Sequence, residues 1–251
     1  MNGIIQAKLV GGFGNQLHQY VSARVYAASI GAELEVPDWA GKVIFGLTEP
    51  GWSRELPEVN DGGCGCPPAL AWGQTNIRLG GYFQFQRWVG LLRRSDLRSW
   101  LAIEPEWVER CRDVIPRGPY TAAHVRQGDY IGHPLYANVS EASYARACAE
   151  HGLTIDEWVR QDSPRRVAGL DARLHFLPDF LVLMHAATLL RANSTFSWWA
   201  AALADPRQEI YAPVVEANVG KFDANFVRGN WPRCADTSRT GPCVEDLHLP
   251  D

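Results

Sequence analysis

The chain has 251 residues, of which 46% are hydrophobic and 21% charged, and a formal net charge of −4. That length suits one large domain or two small ones, and so slight an acidity offers no bulk attraction to nucleic acid or to an anionic membrane. No run of ~18 apolar residues is present, so no transmembrane helix is expected; the opening "MNGIIQAKLV" has neither the basic nor the apolar region of a secretory leader, so a cytoplasmic location is expected.

Residues 4–10 read as a buried strand ending at Gly11-Gly12. Leu17, Val21, Val25 and Ala28 then keep a helical period up to Ile30, and Gly31 is placed to end that helix. "AELEVP" is a second short strand, which makes a βαβ opening. Residues 38–74 are rich in Gly and Pro and read as long loops with short pieces of structure, a feature often tied to function. "NIRLGGYFQF" reads as a strand and residues 87–101 as a helix.

The cluster Pro116-Arg117-Gly118-Pro119 suggests a boundary. It divides an N-terminal half, 1–116, from a C-terminal half, 117–228, with an irregular tail at 229–251. In the second half "YTAAHV" is a strand and "SEASYARACAEHG" a helix, with Ser140 as its N-cap and Gly152 as its stop. "HGLTIDEWVRQDSPRRVAG" is short and holds no strand ending in Ser-Asp-Asp, whereas "ARLHFL" is a strand candidate. "PDFLVLMHAATLL" reads as one apolar helix, "ANSTFSWWAAAL" as a turn into another, and "EIYAP" as the last strand. Strands alternating with helices predict an α/β fold with parallel sheets.

Of the six cysteines only Cys64 and Cys66 are close, and no CxxC pair exists, so the spacing does not support a zinc site. Free thiols and a Cys234–Cys243 bridge both fit the rest. Ten tryptophans are unusual. Trp39, Trp52 and Trp72, within or beside the long loops, are either buried or platforms on which a pyranose could stack.

Three stretches could carry chemistry. In Gly12-Phe13-Gly14-Asn15-Gln16 a strand passes through glycines into a helix, an arrangement that seats anions or nucleotides because backbone N–H groups face the ligand. A dinucleotide fingerprint is incomplete here, since Leu17 stands at the third glycine, although Glu33 and Glu35 lie near the place of a ribose-binding acid. Asn15 and Gln16 suit sugar hydroxyls; the plainer alternative is a tight turn with Asn15 as cap. In "HVRQGDY", His124 to Tyr130, Arg126 could grip a diphosphate, or simply pair with Asp129 on the surface. In "NSTFSWWAA", Asn193, Ser194, Thr195, Phe196 and Ser197 surround a helix start that would suit phosphate oxygens, or else supply an ordinary N-cap with Trp198 and Trp199 as core.

Together the blocks "GGFGNQLHQY", "GGYFQ", "HVRQGDY" and "NSTFSWWAA", in this order, resemble the signature blocks of the bacterial α-1,2-fucosyltransferases. The His-x-Arg-x-x-Asp block is shared with α-1,6- and protein O-fucosyltransferases. The resemblance implies a GT-B-like fold, two Rossmann-type halves facing across a cleft. It also implies an inverting, metal-independent transfer of fucose from GDP-fucose to a galactoside or another glycan; the sequence leaves open whether the protein also works peripherally on lipid-linked glycans at the inner membrane leaflet. No Asp-x-Asp stands in the chain, in keeping with the absence of a catalytic metal. Carried onto this sequence, the donor would meet Gly12, Gly14, Asn15, Gln16, His124, Arg126 and residues 193–197. Arg126 would answer the leaving diphosphate, His124 would orient it, and Asp129 would be the base, with His18 as a second candidate. Two departures stand out: the family's second arginine is here Gln127, and no strand ending in Ser-Asp-Asp is visible before the last block. They motivate two competing readings, a catalytically weak nucleotide-sugar or glycan-binding protein and a transferase with a different nucleotide sugar. An NAD-dependent oxidoreductase would rest only on Gly12-x-Gly14 with Glu33 or Glu35.

Overall fold

The computed structural model describes residues 3–60, 73–83, 94–126, 137–214, 220–222 and 225–228. The described residues divide into two compact units, those up to 104 and those from 105 onward. The Pro/Gly cluster at 116–119 therefore lies inside the second unit. Arg110 is tied into that unit by a hydrogen bond from Nη2 to the Gly169 carbonyl oxygen, 2.7 Å.

The first unit contains β1 (Ile4–Ala7), α1 (Phe13–Ile30), β2 (Glu33–Glu35), α2 (Ala40–Ile44), β3 (Glu58–Val59), β4 (Ile77–Leu79) and α3 (Arg94–Trp100). Its strands lie in the order β2-β1-β4-β3, and all are parallel. The βαβ opening is present as expected. Gly31 ends α1 in the left-handed region, φ 66°, with its N–H turned back to the carbonyls of Ala27 and Ala28, a conformation that favours glycine. β1 is shorter than the apolar run suggested: after the Lys8 N–H bonds to Leu79 O, 3.0 Å, the chain leaves the ladder. The short pieces of structure expected among the loops are α2 and β3.

A row of polar side chains crosses this sheet. Gln6 stands opposite both Glu35 and Arg78 in the ladders. Its Nε2 donates to Glu35 Oε2 at 2.7 Å and its Oε1 accepts from Arg78 Nε at 3.1 Å. Ser53 closes the row by donating its backbone N–H and its hydroxyl to the Glu35 carboxylate. Burial alone would raise the Glu35 pKa, but the bonds from Ser53 and Gln6 outweigh it and hold the carboxyl below its usual value. A ribose-binding role for Glu35 is thus displaced: both carboxylate oxygens are engaged inside the fold.

The second unit contains α4 (Pro105–Arg110), β5 (Thr121–Val125), β6 (Ala137–Val139), α5 (Glu141–His151), β7 (Glu157–Arg160), α6 (Leu177–His185), β8 (Thr188–Leu190), α7 (Thr195–Leu203), β9 (Glu209–Val214), β10 (Gly220–Phe222) and β11 (Asn225–Arg228). The main sheet runs β11-β9-β8-β5-β7, parallel except for β11, and β10 pairs with β6. Ser140 caps α5 as expected, its Oγ accepting from Ser143 N, and Gly152 ends that helix at φ 66°.

Four expectations are corrected. The stretch where no strand was placed holds β7, paired along its length with β5, although it ends in Arg160 and not in Ser-Asp-Asp. The long apolar run is not one helix: α6 stops at His185 and its end is β8, a central strand. Residues 172–174 form a 3₁₀ turn instead of a strand, capped by Asp171, whose carboxylate accepts from Arg173 N. β9 is not the last strand, since β10 and β11 follow it. The core beneath the sheet gathers Ala123, Val125, Tyr144, Ala147, Leu190, Tyr211 and Phe226, and Trp199 is fully buried. Cys111 and Cys148 are free thiols; the other four cysteines lie outside the described residues. No described helix is long and apolar enough to cross a membrane.

The polar row predicts a specific stability loss. Glu35→Ala leaves the Gln6 amide and the Ser53 hydroxyl without their acceptor, which should cost about 2 kcal/mol. Urea unfolding followed by circular dichroism measures it, and an unchanged midpoint would contradict the role given to the row.

Candidate functional site

In an open parallel sheet, ligands bind outside the carboxyl ends of the strands, where the winding of the chain changes direction. Each unit has one such point. In the first, β1 leads through α1 to β2 on one side, while β4 and β3 lie on the other. In the second, β5 leads through α5 to β7 on one side, and β8 leads through α7 to β9 on the other. All four sequence blocks lie there: Gly11 to Gln16 follows β1, Gly80 to Phe83 follows β4, His124 and Arg126 end β5, and Arg191 to Ser194 follows β8.

In the first unit the glycine turn is held by glutamines. Gln19 Oε1 accepts from Val10 N at 2.8 Å, and Gln16 Nε2 donates to Gly11 O at 3.0 Å. Gln16 is therefore turned back onto the loop, and Gln19, one helical turn further and on the same face, was missed by the motif reading. Gly11 has φ 77°, and a Cβ there would sit 3.0 Å from Asn15 Nδ2 and 3.5 Å from Tyr82 Cε1. Gly12 is the N-cap of α1 without a side-chain cap, so Asn15 does not cap the helix. A Cβ on Gly12 would meet nothing within 4 Å, which leaves this face of the helix start open to a ligand. Gly14 is buried, and Asn15 is half-buried. Phe83 is held at φ 46°, unusual for a bulky residue, with its carbonyl accepting from Ser22 Oγ at 3.3 Å.

His18 is buried, and its Nδ1–H donates to Gly14 O at 3.1 Å. Burial brings its pKa down to about 4, partly opposed by that bond, so it is a poor base at neutral pH. Trp39 belongs to the core, its ring 6.0 Å from Phe13 and 5.4 Å from Tyr20. Trp52 remains half-open: its Nε1 donates to Ala7 O, and the Arg78 guanidinium covers one ring face at 3.8 Å. Tyr82, not singled out from sequence, is exposed beside the glycine turn. Trp72 lies outside the described residues.

In the second unit the hydroxyls of the last block are largely spent on the fold. Ser194 is the N-cap of α7, its Oγ accepting from Phe196 N at 3.3 Å. Ser197 is fully buried and its hydroxyl faces the carbonyls of Ala192 and Ser194. Asn193 and Thr195 stay half-buried at the helix start, where first-turn N–H groups have no carbonyl of their own helix to meet.

His124 is only 4% exposed. Tyr144 Oη donates to its backbone carbonyl at 2.8 Å. Its ring packs 5.6 Å from that of Phe196, which is itself lodged against Phe180 at 5.3 Å. Among the described residues Nδ1 of His124 has no hydrogen-bond partner. Burial, then the charges of Arg126 and Arg191, push its pKa down to about 3. Arg191 was outside the block "NSTFSWWAA", which begins two residues later. Yet it is 7% exposed and its backbone N–H bonds to Tyr211 O at 2.8 Å. The structure therefore brings His124, Arg126, Arg191 and the start of α7 together. Asp129 and Gln127 lie outside the described residues.

No family model and no curated protein matches this chain. Solved structures do. The fucosyltransferase NodZ from Bradyrhizobium is 14% identical with a TM-score of 0.54, over 92% of this chain and 99% of that one. A NodZ α-1,6-fucosyltransferase co-crystallised with GDP is 15% identical with a TM-score of 0.55, over 92% and 100%. A mutant of Arabidopsis thaliana FUT1 in complex with GDP is 9% identical with a TM-score of 0.52, over 93% and 76%. At such identities the likeness is one of fold: a GT-B-like α/β architecture with parallel sheets.

The two buried histidines predict acid sensitivity. Both have folded pKa values below the unfolded value of 6.5, so below that pH the unfolded chain binds more protons and stability falls. At pH 5 the loss is about 2 kcal/mol for each. Urea unfolding at pH 7.5 and pH 5.0 should show it, and His18→Leu should shrink the difference by about 2 kcal/mol. A variant with the wild-type pH dependence would contradict the burial of a neutral His18.

Proposed function

We propose that the protein is a glycosyltransferase that moves L-fucose from GDP-fucose to a hydroxyl of a glycan, a galactoside with α-1,2 linkage being the acceptor the sequence blocks favour. One observation carries this reading: a buried neutral histidine beside Arg126 and Arg191, at the carboxyl ends of β5 and β8 and next to the start of α7. Such a place suits a diphosphate. The fold supports the reading, since NodZ and FUT1 share it and their structures were solved with GDP.

The chemistry follows from charge. As the bond between the sugar C1 and the β-phosphate oxygen breaks, negative charge grows on the departing GDP. Arg126 and the N–H groups opening α7 meet that charge, which leaves no need for a metal ion. His124, kept neutral, orients an oxygen by a hydrogen bond and does not serve as base. The acceptor oxygen attacks C1 from the opposite face, and its proton passes to a carboxylate, for which Asp129 is the candidate. In the first unit the open backbone at Gly12, with Asn15 and Tyr82, offers polar and aromatic contacts for a sugar.

Calorimetric titration with GDP and GDP-fucose, with NAD as control, tests this directly. Saturable binding of both guanosine ligands is expected, unchanged by EDTA, with none for NAD. Absence of guanosine-nucleotide binding would overturn the donor, and loss of binding in EDTA would overturn metal independence. Arg126→Ala should lower turnover roughly 10²-fold or more, as loss of a preorganised charge donor does; turnover within a few-fold of wild type would remove Arg126 from the reaction.

A further inference from the structure

Arg191 stands at the carboxyl end of β8, on the edge of the sheet where the second unit's crevice opens. It follows β8 directly, and the ladder pairs Ala123 of β5 with Leu190 of β8, so Arg191 comes next in line beside His124. Its main chain is fixed by the bond to Tyr211 on β9. Its side chain is buried, an uncommon fate for a guanidinium unless it meets negative charge. Three residues later Ser194 caps α7, whose first-turn N–H groups face the same loop.

We propose that Arg191 is a second cationic ligand of the donor diphosphate, holding it from β8 while Arg126 holds it from β5. The inference rests on the donor-site reading above and adds to it a residue that none of the sequence blocks contained. Two features support it independently of the helix start. The buried imidazole of His124 between the two strands offers an Nδ1 without a partner among the described residues. The charges acting on that ring are both positive, those of Arg126 and Arg191, so an anion arriving there gains from both at once. Two guanidiniums on neighbouring parallel strands can address different phosphate groups of one diphosphate, which a pair adjacent in sequence, projecting from opposite faces of a strand, cannot do in the same way.

The test compares GDP with guanosine, which shares the base and the ribose but has no phosphate. Arg191→Gln should weaken GDP binding by roughly 10- to 100-fold in calorimetry and leave guanosine binding within about 2-fold, which also shows that the variant is folded. Arg191→Lys, which keeps the charge and the stem but loses the planar fork, should recover most of the GDP affinity and serves where the Gln variant does not fold. Unchanged GDP affinity in both variants, with wild type binding GDP, overturns the role of Arg191 and leaves the donor site standing. Equal losses for GDP and guanosine also overturn it, since they mark a structural residue. Wild type that binds guanosine but gains nothing from the diphosphate overturns the donor-site reading itself.

Discussion

Parallel pairing is the constraint from which the site follows. Parallel strands cannot be joined by a tight turn, so each strand must leave the sheet, cross over a helix or a long loop, and return. The carboxyl ends of neighbouring strands then open on the same edge, and where the winding reverses, their loops part and leave a crevice. In this chain that happens between β1 and β4, and again between β5 and β8. Residues far apart in sequence, such as Gly11 and Tyr82, or His124 and Arg191, meet there without any dedicated contact having to draw them together.

The two sites differ in what the fold spends on them. At the first, glutamine side chains shape a glycine turn and leave backbone exposed, so the surface is polar but carries little charge. At the second, a buried imidazole is held neutral among aromatic rings and cations. Burial and like charge act in the same direction on His124: each makes a proton there unfavourable. A ring that stays neutral can offer a hydrogen bond over the whole physiological range, which is worth more for positioning than a group that titrates.

The glycine and Asn-Gln punctuation of the first block, the His-x-Arg of the second and the Ser cap of the last were legible in sequence, because each is a local device with a local signature. What was hidden was hidden for physical reasons. β8 is three residues long and follows an apolar helix directly, so no change of period separated it from α6. β7, "EWVR", sits at the sheet edge with two apolar residues between two charged ones, neither an apolar run nor an alternation long enough to stand out. Arg191 looks like an ordinary surface arginine until β8 is recognised and its burial known. Gln16 and Ser197 were read as ligand groups, whereas both turn inward to satisfy the backbone. Nothing local distinguishes a side chain that serves a ligand from one that serves its own loop.

The row from Glu35 through Gln6 to Arg78 has a consequence for how this protein can vary. Three polar side chains in register make a clasp: a slip of one residue in β1 would break both of its cross-strand bonds, and a slip in β2 or β4 would break the one that strand shares with Gln6. The excursion between β2 and β4 is thus obliged to return to one place, and it is also held on the way: Trp39 packs into the core, Ser53 bonds Glu35, Trp52 bonds Ala7 O and β3 joins β4. The crossing segment therefore works as a strap that is buttoned to the sheet at several points. A change in chain length between two of those points must leave each button in place, so the strap and the glycine turn it runs beside are free to vary only together.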